Sequence, residues 1–340
     1  MKPILKPKHR YNCLWAFVLL FAFCFVMSFM LGKYPVMPNE LIKILLSRVI
    51  ELPVTWTSKA QTVVLQVRLP RVLAASMIGA ALSAAGICYQ GIFQNPMVSP
   101  DVLGASAGAG FGAALGLFCT FSYFGVSVSS FLFGIAAVLI VQFVSKKTRN
   151  QPILGLILAG IMVSSLFSSA TSFIKLVADP TNVLPSITYW LMGSLAAIRP
   201  NDLMLAAIPI FIGIIPLFLL RWKLNVLTLG EEEARTIGVN TRALRTIVIL
   251  SSTLMTAACV SISGMIGWVG LVIPHFTRML VGCDYRVSLP TSMLLGASFL
   301  LVVDNFSRLL ASSEIPLGIL TAFVGAPFFL YLILREGKKI

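Results

Sequence analysis

Apolar positions along this chain come in long blocks, not in the alternation of a half-buried strand or the single stripe of a surface helix. A bilayer core takes about 20 apolar residues per helix. Ten blocks approach that length, at roughly 14–32, 70–89, 98–118, 122–144, 152–176, 203–220, 243–262, 265–281, 288–304 and 316–334. They predict an all-α polytopic membrane protein with about ten transmembrane helices, organised as one transmembrane domain over 1–340. Some blocks are rich in small residues, as at Gly104, Ala105, Ser106, Ala107, Gly108, Gly110 and Gly112. Small residues let helix backbones approach closely in lipid, so such spans belong inside a bundle.

Three segments break the pattern. Residues 33–65 form a long outer loop whose Pro38 to Ile50 portion reads as a short amphipathic helix at the interface. Residues 177–202 form an outer connection, and its apolar Tyr189-Trp-Leu-Met192 is too short to span. Residues 221–242 are the one sizeable inner segment between spans.

Composition strengthens the membrane reading. The chain is 58% hydrophobic and 11% charged, against about 45–50% and about 25% for soluble domains. A net charge of +14 raises the possibility of nucleic acid, but little soluble surface is left to bind it, and no nucleic-acid partner is expected. Membrane orientation accounts for the charge. With the N-terminus inside, 17 of the 26 Lys and Arg fall on inner segments and nine on outer ones, which predicts cytoplasmic termini. Lys2, Lys6, Lys8 and Arg10 precede an apolar run that ends in Met-Leu-Gly-Lys33. It is too long for a cleaved signal and lacks a small-x-small site, so it reads as a retained span. The six cysteines have no paired spacing and read as apolar fillers.

The chemistry that is missing narrows the function. There is no Gly-x-x-x-x-Gly-Lys-Ser/Thr phosphate loop, no His-Glu-x-x-His and no nucleophile elbow. The chain is therefore not expected to be an ATPase or another enzyme, nor to hold a metal or cofactor. His9 lies in the basic tail, and His275 reads as a helix-end residue. Asp101, Lys175, Asp304, Arg308 and Glu314 all fall near span ends. An ion-driven carrier keeps titratable groups within its spans, so energy is expected to come from a partner chain. A secondary carrier and a membrane-embedded enzyme are the rival readings.

Two charged patches carry function. Arg68-Leu-Pro-Arg71 starts the second span on the outer side, and Arg308 ends the ninth there. These arginines either snorkel at the interface or receive carboxylates of an acidic soluble partner. On the inner side, Gly230 precedes Glu231, Glu232 and Glu233, then Ala234 and Arg235. Acidic residues suit a helix first turn, and Gly238 suits its C-terminal cap. This short helix is either a solvated connector or a lever seated in a cytoplasmic partner.

At these residues the chain resembles the FecCD-type permeases of ABC importers, over about residues 60 to 335. The resemblance rests on Arg68-Leu-Pro-Arg71, Gln90-Gly-Ile-Phe-Gln-Asn-Pro-Met97 with Pro100-Asp-Val-Leu-Gly104, and Tyr189-Trp-Leu-Met-Gly193. It continues through Leu229-Gly-Glu-Glu-Glu-Ala-Arg-Thr-Ile-Gly238, the run from Gly264 to Arg278, and Glu314-Ile-Pro-Leu-Gly318. It implies a permease of the cobalamin/siderophore-importer type (type II ABC importer) in the bacterial inner membrane. It also implies a second permease subunit, expected as a homodimer, two cytoplasmic ABC ATPase subunits and an external substrate-binding protein. By the same resemblance, Arg68, Arg71 and Arg308 dock the binding protein. Gly230, Glu231, Glu232, Glu233, Ala234, Arg235 and Gly238 couple to the ATPase, and Asn95 and Met97 narrow the exit. The wider importer pattern Glu-Ala-Ala-x-x-x-Gly is matched at Glu232, Ala234 and Gly238, with Glu233 in place of its second alanine. The implied cargo is a ferric siderophore or haem, with cobalamin or an oxyanion such as molybdate as alternatives.

Overall fold

The computed structural model describes residues 10–47, 50, 53–147 and 152–337. Lys2, Lys6, Lys8, Arg48, Arg149, Lys338 and Lys339, used in the charge count, lie outside the described residues, as does His9.

All ten apolar blocks are helices. In chain order the elements are α1 (Arg10–Met30), α2 (Pro38–Leu46), α3 (Ser58–Thr62), a π-helical turn (Val63–Arg68), α4 (Leu69–Ile92), a 3-10 turn (Pro100–Leu103), α5 (Ala105–Phe118), α6 (Tyr123–Ser145), α7 (Pro152–Val177), α8 (Val183–Leu191), α9 (Pro200–Leu219), α10 (Arg221–Leu227), α11 (Glu231–Thr236), α12 (Thr241–Ser263), α13 (Val269–Val281), α14 (Tyr285–Leu309) and α15 (Leu317–Gly337). Among the described residues, six helices are long and apolar enough to cross a membrane, and four shorter apolar ones complete the ten. The amphipathic α2 starts at Pro38 as the pattern indicates and ends at Leu46, and the connection 177–202 holds a short helix, α8, that starts at Val183, before the Tyr189–Met192 stretch.

Two differences matter. The second span starts earlier than hydropathy indicates, because α3, the π turn and α4 run on as one helix from Ser58 to Ile92. The third apolar block is not one helix. A 3-10 turn opens it, Gly104 at φ +81° breaks it, and α5 follows. Only residues without a Cβ hold that backbone comfortably.

The centre of the bundle is α4, packed against α14, α12 and α13. Close approach explains its small residues. A Cβ on Gly79 would run into the backbone of Gly296 on α14, and one on Gly86 into Gly270 on α13. α4 and α12 are mostly buried, whereas α7 and α9 leave most of their length exposed. Exposed apolar positions on those two helices face lipid or another subunit. α7 differs from a plain lipid face, because Ser165, Ser168, Ser169 and Ser172 are exposed beside Met162 and Leu166.

Candidate functional site

The predicted residues gather at opposite ends of the bundle. At one end, α1 terminates with carbonyl groups that have no partner within the helix, as every helix C-terminus does. Guanidinium groups supply the partners and suit the negative end of the dipole. Arg68, brought inward by the π turn, donates to the carbonyls of Phe29 and Tyr34. Arg308 donates to those of Leu31 (3.1 Å) and Ser28 (3.4 Å) and to the Asn305 side chain. Arg71 sits between two carboxylates, with Nε 2.8 Å from Asp304 Oδ1 and Nη1 2.9 Å from Glu314 Oε1. The other Asp304 oxygen is 3.1 Å from Arg308 Nε. Asp304 is completely buried, and Arg68, Arg71 and Arg308 are 3%, 4% and 8% exposed.

This corrects the picture of arginines standing on a surface. They lie beneath it, because the end of α1 and the Asp304 carboxylate consume their donors. Asp304 and Arg308 do lie near the end of a span, α14, and there a fully buried aspartate is held by two arginines. Three guanidinium groups face two carboxylates, so the cluster keeps one net positive charge. Above it, Lys33 Nζ donates to the Ser312 carbonyl at 2.6 Å and ties the loop after α1 to the loop that carries Glu314.

At the other end, α11 forms as the sequence indicates. Gly230 precedes it at φ +134°, and Gly238 closes it at φ +87°. The Val239 N–H reaches back to the Ala234 carbonyl at 2.9 Å, which ends the helix. The three glutamates then diverge. Glu231 turns inward and accepts from Arg235 (2.7 Å), Thr241 (3.2 Å) and the buried Arg245 (3.0 Å) on α12. Burial pushes its carboxyl up, but hydrogen bonds and charge from Arg245, with help from Arg235 and Thr241, outweigh that and leave it below the usual carboxylate range. Glu232 and Glu233 are exposed. Ala234 is completely buried, so it seats α11 on the bundle and does not face a partner. The outward side is made of Glu232, Glu233, Thr236 and Ile237, with Leu229 beside them; Ile237 is 51% and Leu229 65% exposed.

Asn95 and Met97 lie in the turn between α4 and the 3-10 turn. Asn95 Oδ1 accepts the Met97 N–H at 2.9 Å, and the Met97 side chain is half exposed. Gln94, at φ +49°, donates from Nε2 to the Leu227 carbonyl of α10 at 3.1 Å. α10 also holds the start of α14: Asn225 Nδ2 donates to Asp284 Oδ1 at 2.7 Å, and Asn225 Oδ1 accepts the Tyr285 N–H at 2.8 Å. The Asn95–Met97 turn, α10 and the N-terminus of α14 are thus joined by hydrogen bonds, and α11 follows α10 directly through the Thr228–Gly230 turn.

Sequence reasoning missed Asp304 and Glu314 as partners of Arg71, and Thr241 and Arg245 as partners of Glu231. The Asp304–Arg308 spacing of four on one helix was a readable signal. The others lie on separate elements and left none.

Comparison with known proteins agrees with this architecture. The model of the FecCD transport family matches residues 19–335. The molybdate import system permease protein MolB of Haemophilus influenzae is 40% identical over 98% of this chain and all of its own length. The hemin transport system permease protein HmuU of Yersinia pestis is 37% identical over 82% of this chain and 83% of its own. A solved structure described as an inward-facing conformation of a metal-chelate type ABC transporter superposes with a TM-score of 0.85 at 40% identity. It covers 95% of this chain and 99% of that one.

Proposed function

The chain belongs to the FecCD transport family, and from that premise we propose how it works as the permease of an ABC importer in the cytoplasmic membrane. The observation that carries the reading is the linkage at the α11 end. α11 is anchored to the bundle through Glu231, Arg245 and Ala234, and it displays Glu232, Glu233 and Ile237 outward. α10 connects it to the Asn95–Met97 turn and to α14. A push on α11 would reach both without bending a long lever. In this reading two cytoplasmic ATPase subunits seat on α11 of two permease copies, and ATP-driven closure moves them together. The Asn95–Met97 turn narrows the exit.

The opposite end would receive an external binding protein. Arg68, Arg71 and Arg308 then act as an electropositive base under the docking face, and a carboxylate from the partner would compete with Glu314 for Arg71. The translocation path would run along α7 between two copies. A row of exposed serines is costly against hydrocarbon and acceptable against water. Two of them, Ser165 and Ser172, satisfy their hydroxyls on their own helix.

The cargo is a metal species. A metal chelate such as a ferric siderophore or haem is the first reading, supported by the likeness to a metal-chelate type transporter and to a hemin permease. An oxyanion such as molybdate is the second. It is favoured by the match to a molybdate permease over almost the whole of both chains. The deciding experiment reconstitutes the permease in vesicles with its ATPase and binding protein and measures ATP-dependent uptake of molybdate, haem and ferric siderophores in parallel. Uptake without the ATPase would overturn the importer reading, and uptake of none of the three would overturn the cargo assignment.

A further inference from the structure

One cavity in the molecule has the wrong electrostatics to be empty packing. It holds about 370 Å³ and lies between the Asn95 turn, the Gly230 turn that leads into α11, and the facing ends of α13 and α14. Arg278 of α13 lines it. Its Nη2 donates to Gln90 Oε1, and among the described residues no carboxylate lies within ion-pair distance of it. No acidic side chain is among the lining residues. Ser288 of α14 also lines the cavity. It is 1% exposed, and its hydroxyl has no hydrogen-bond partner among the described residues. Buried hydroxyls are nearly always paired, and Arg278, which is half-buried, keeps its positive charge without a counter-ion among the described residues. Arg278 therefore has a neutral acceptor only, and the Ser288 hydroxyl on a neighbouring wall has no partner among the described residues.

Asn95, an exposed residue at the mouth of the cavity, adds one further donor. The Asn95 oxygen is taken by the Met97 N–H, which leaves its amide N–H₂ as the free end. Tyr285 is not such a donor, since its hydroxyl is spent on the Ile87 carbonyl at 3.0 Å. Two carboxylates lie near it: Asp284, between the lining residues Cys283 and Tyr285, is held by Asn225 Nδ2 at 2.7 Å, and Glu233 folds its carboxylate over the Cα of Gly230 at the rim.

We propose that this cavity is a binding site for a small tetrahedral oxyanion, held by Arg278, Ser288 and Asn95 and screened at its rim by Glu233. Guanidinium forks suit oxyanions. The volume accepts one such ion with a few waters. An ion bound there would bridge α13, α14 and the Asn95 turn beside the coupling helix, so it would report on or set the state of the exit. Two sources share this chemistry: an oxyanion cargo leaving the path, or the inorganic phosphate released when a partner ATPase hydrolyses ATP. The site itself does not depend on the cargo reading; only the choice of source rests on the importer reading.

The test is equilibrium dialysis of the full-length permease in lipid nanodiscs, with radiolabelled molybdate and radiolabelled phosphate as separate probes. Saturable binding of at least one is expected, at one site per chain. Arg278→Gln should weaken it by about tenfold or more, and Ser288→Ala by roughly threefold, as expected for a charge-assisted and a neutral hydrogen bond. Glu233→Gln should tighten it by removing a negative charge from the rim. If Arg278→Gln fails to fold, Ser288→Ala and Glu233→Gln still decide, since each changes one polar group with little change of shape. Molybdate binding far tighter than phosphate assigns the site to cargo, and comparable binding assigns it to the hydrolysis product. No saturable binding of either anion overturns the proposal, as does binding that none of the three variants alters. The vesicle uptake experiment fails or succeeds independently of this one.

Discussion

The two ends of the bundle both concentrate charge, and they use it in opposite ways. At the arginine end, Arg68, Arg71, Arg308 and Asp304 are sealed beneath the surface, and nearly every donor is spent on the protein itself. At the α11 end Glu231 is turned inward as an anchor of the helix, while Glu232 and Glu233 stay in solvent. The difference teaches what charge does in each place. A buried cluster fixes how α1, α4 and α14 meet. A displayed cluster leaves its charges available for another chain. Removing one member of a buried pair strands its partner, whereas removing an exposed charge changes little in the fold.

The largest effect should therefore come from Asp304→Asn. It leaves two buried arginines without their shared counter-ion and should cost about 3–5 kcal/mol of stability, read as a large drop in thermal unfolding temperature in detergent. Glu314→Gln removes a carboxylate that is 30% exposed and should cost no more than about 1 kcal/mol. Equal losses from the two variants would break the claim that burial, and not charge alone, sets the role of this end.

Next in size is a functional loss without a structural one. Glu232→Lys with Glu233→Lys should leave thermal stability within about 0.5 kcal/mol and reduce ATPase assembly by about tenfold or more, as charge reversal at an interface does. In a cysteine-free background, Ile237→Cys should crosslink to the ATPase and Ala234→Cys should stay protected, because Ala234 is sealed under α11. A fast-reacting thiol at Ala234 would mean that the helix is not seated as described.

How far the sequence reveals this comparison depends on what enforces each feature. A bilayer demands long apolar helices, so all ten spans were readable, although α5 and α13 are short. Gly230 and Gly238 were readable because positive φ selects glycine. The π turn was not, since nothing in Val63-Val-Leu-Gln-Val-Arg68 differs from an ordinary helix. The direction of the arginines was equally hidden. Arg71 and Asp304 are 233 positions apart, and their pairing exists only once α4 and α14 pack. The divergence of three consecutive glutamates is set by where Arg245 lies on the next helix. The Arg278–Ser288 cavity left no local signal for the same reason.

Smaller again is the loss expected from Glu231→Gln, which weakens a charge-assisted anchor with Arg245 and Arg235 while keeping a side chain of similar shape. A stability decrease of about 1–2 kcal/mol follows, accompanied by a loss of uptake greater than stability explains, because α11 would no longer be fixed to α12. Restored uptake in Glu231→Asp, with the variant otherwise stable, would support an anchoring role; normal uptake in Glu231→Gln would remove it.

The smallest effect is a pH dependence, and its sign follows from the same anchor. The folded-state Glu231 carboxyl lies below its usual value, so the folded protein holds this proton less tightly than the unfolded chain. Its contribution is complete above the unfolded pKa and is lost as pH falls through the folded one. The other carboxylates titrate in the wild type and in Glu231→Gln alike, so the informative quantity is the difference in unfolding temperature between the two. That difference should stay constant around neutrality and shrink once the pH drops below the ordinary carboxylate range. A difference that persists at the acidic end would mean that Glu231 stabilises α11 by shape and not by charge. In that case the inward glutamate would not be an electrostatic anchor, and the contrast between the two ends would rest on the arginine cluster alone.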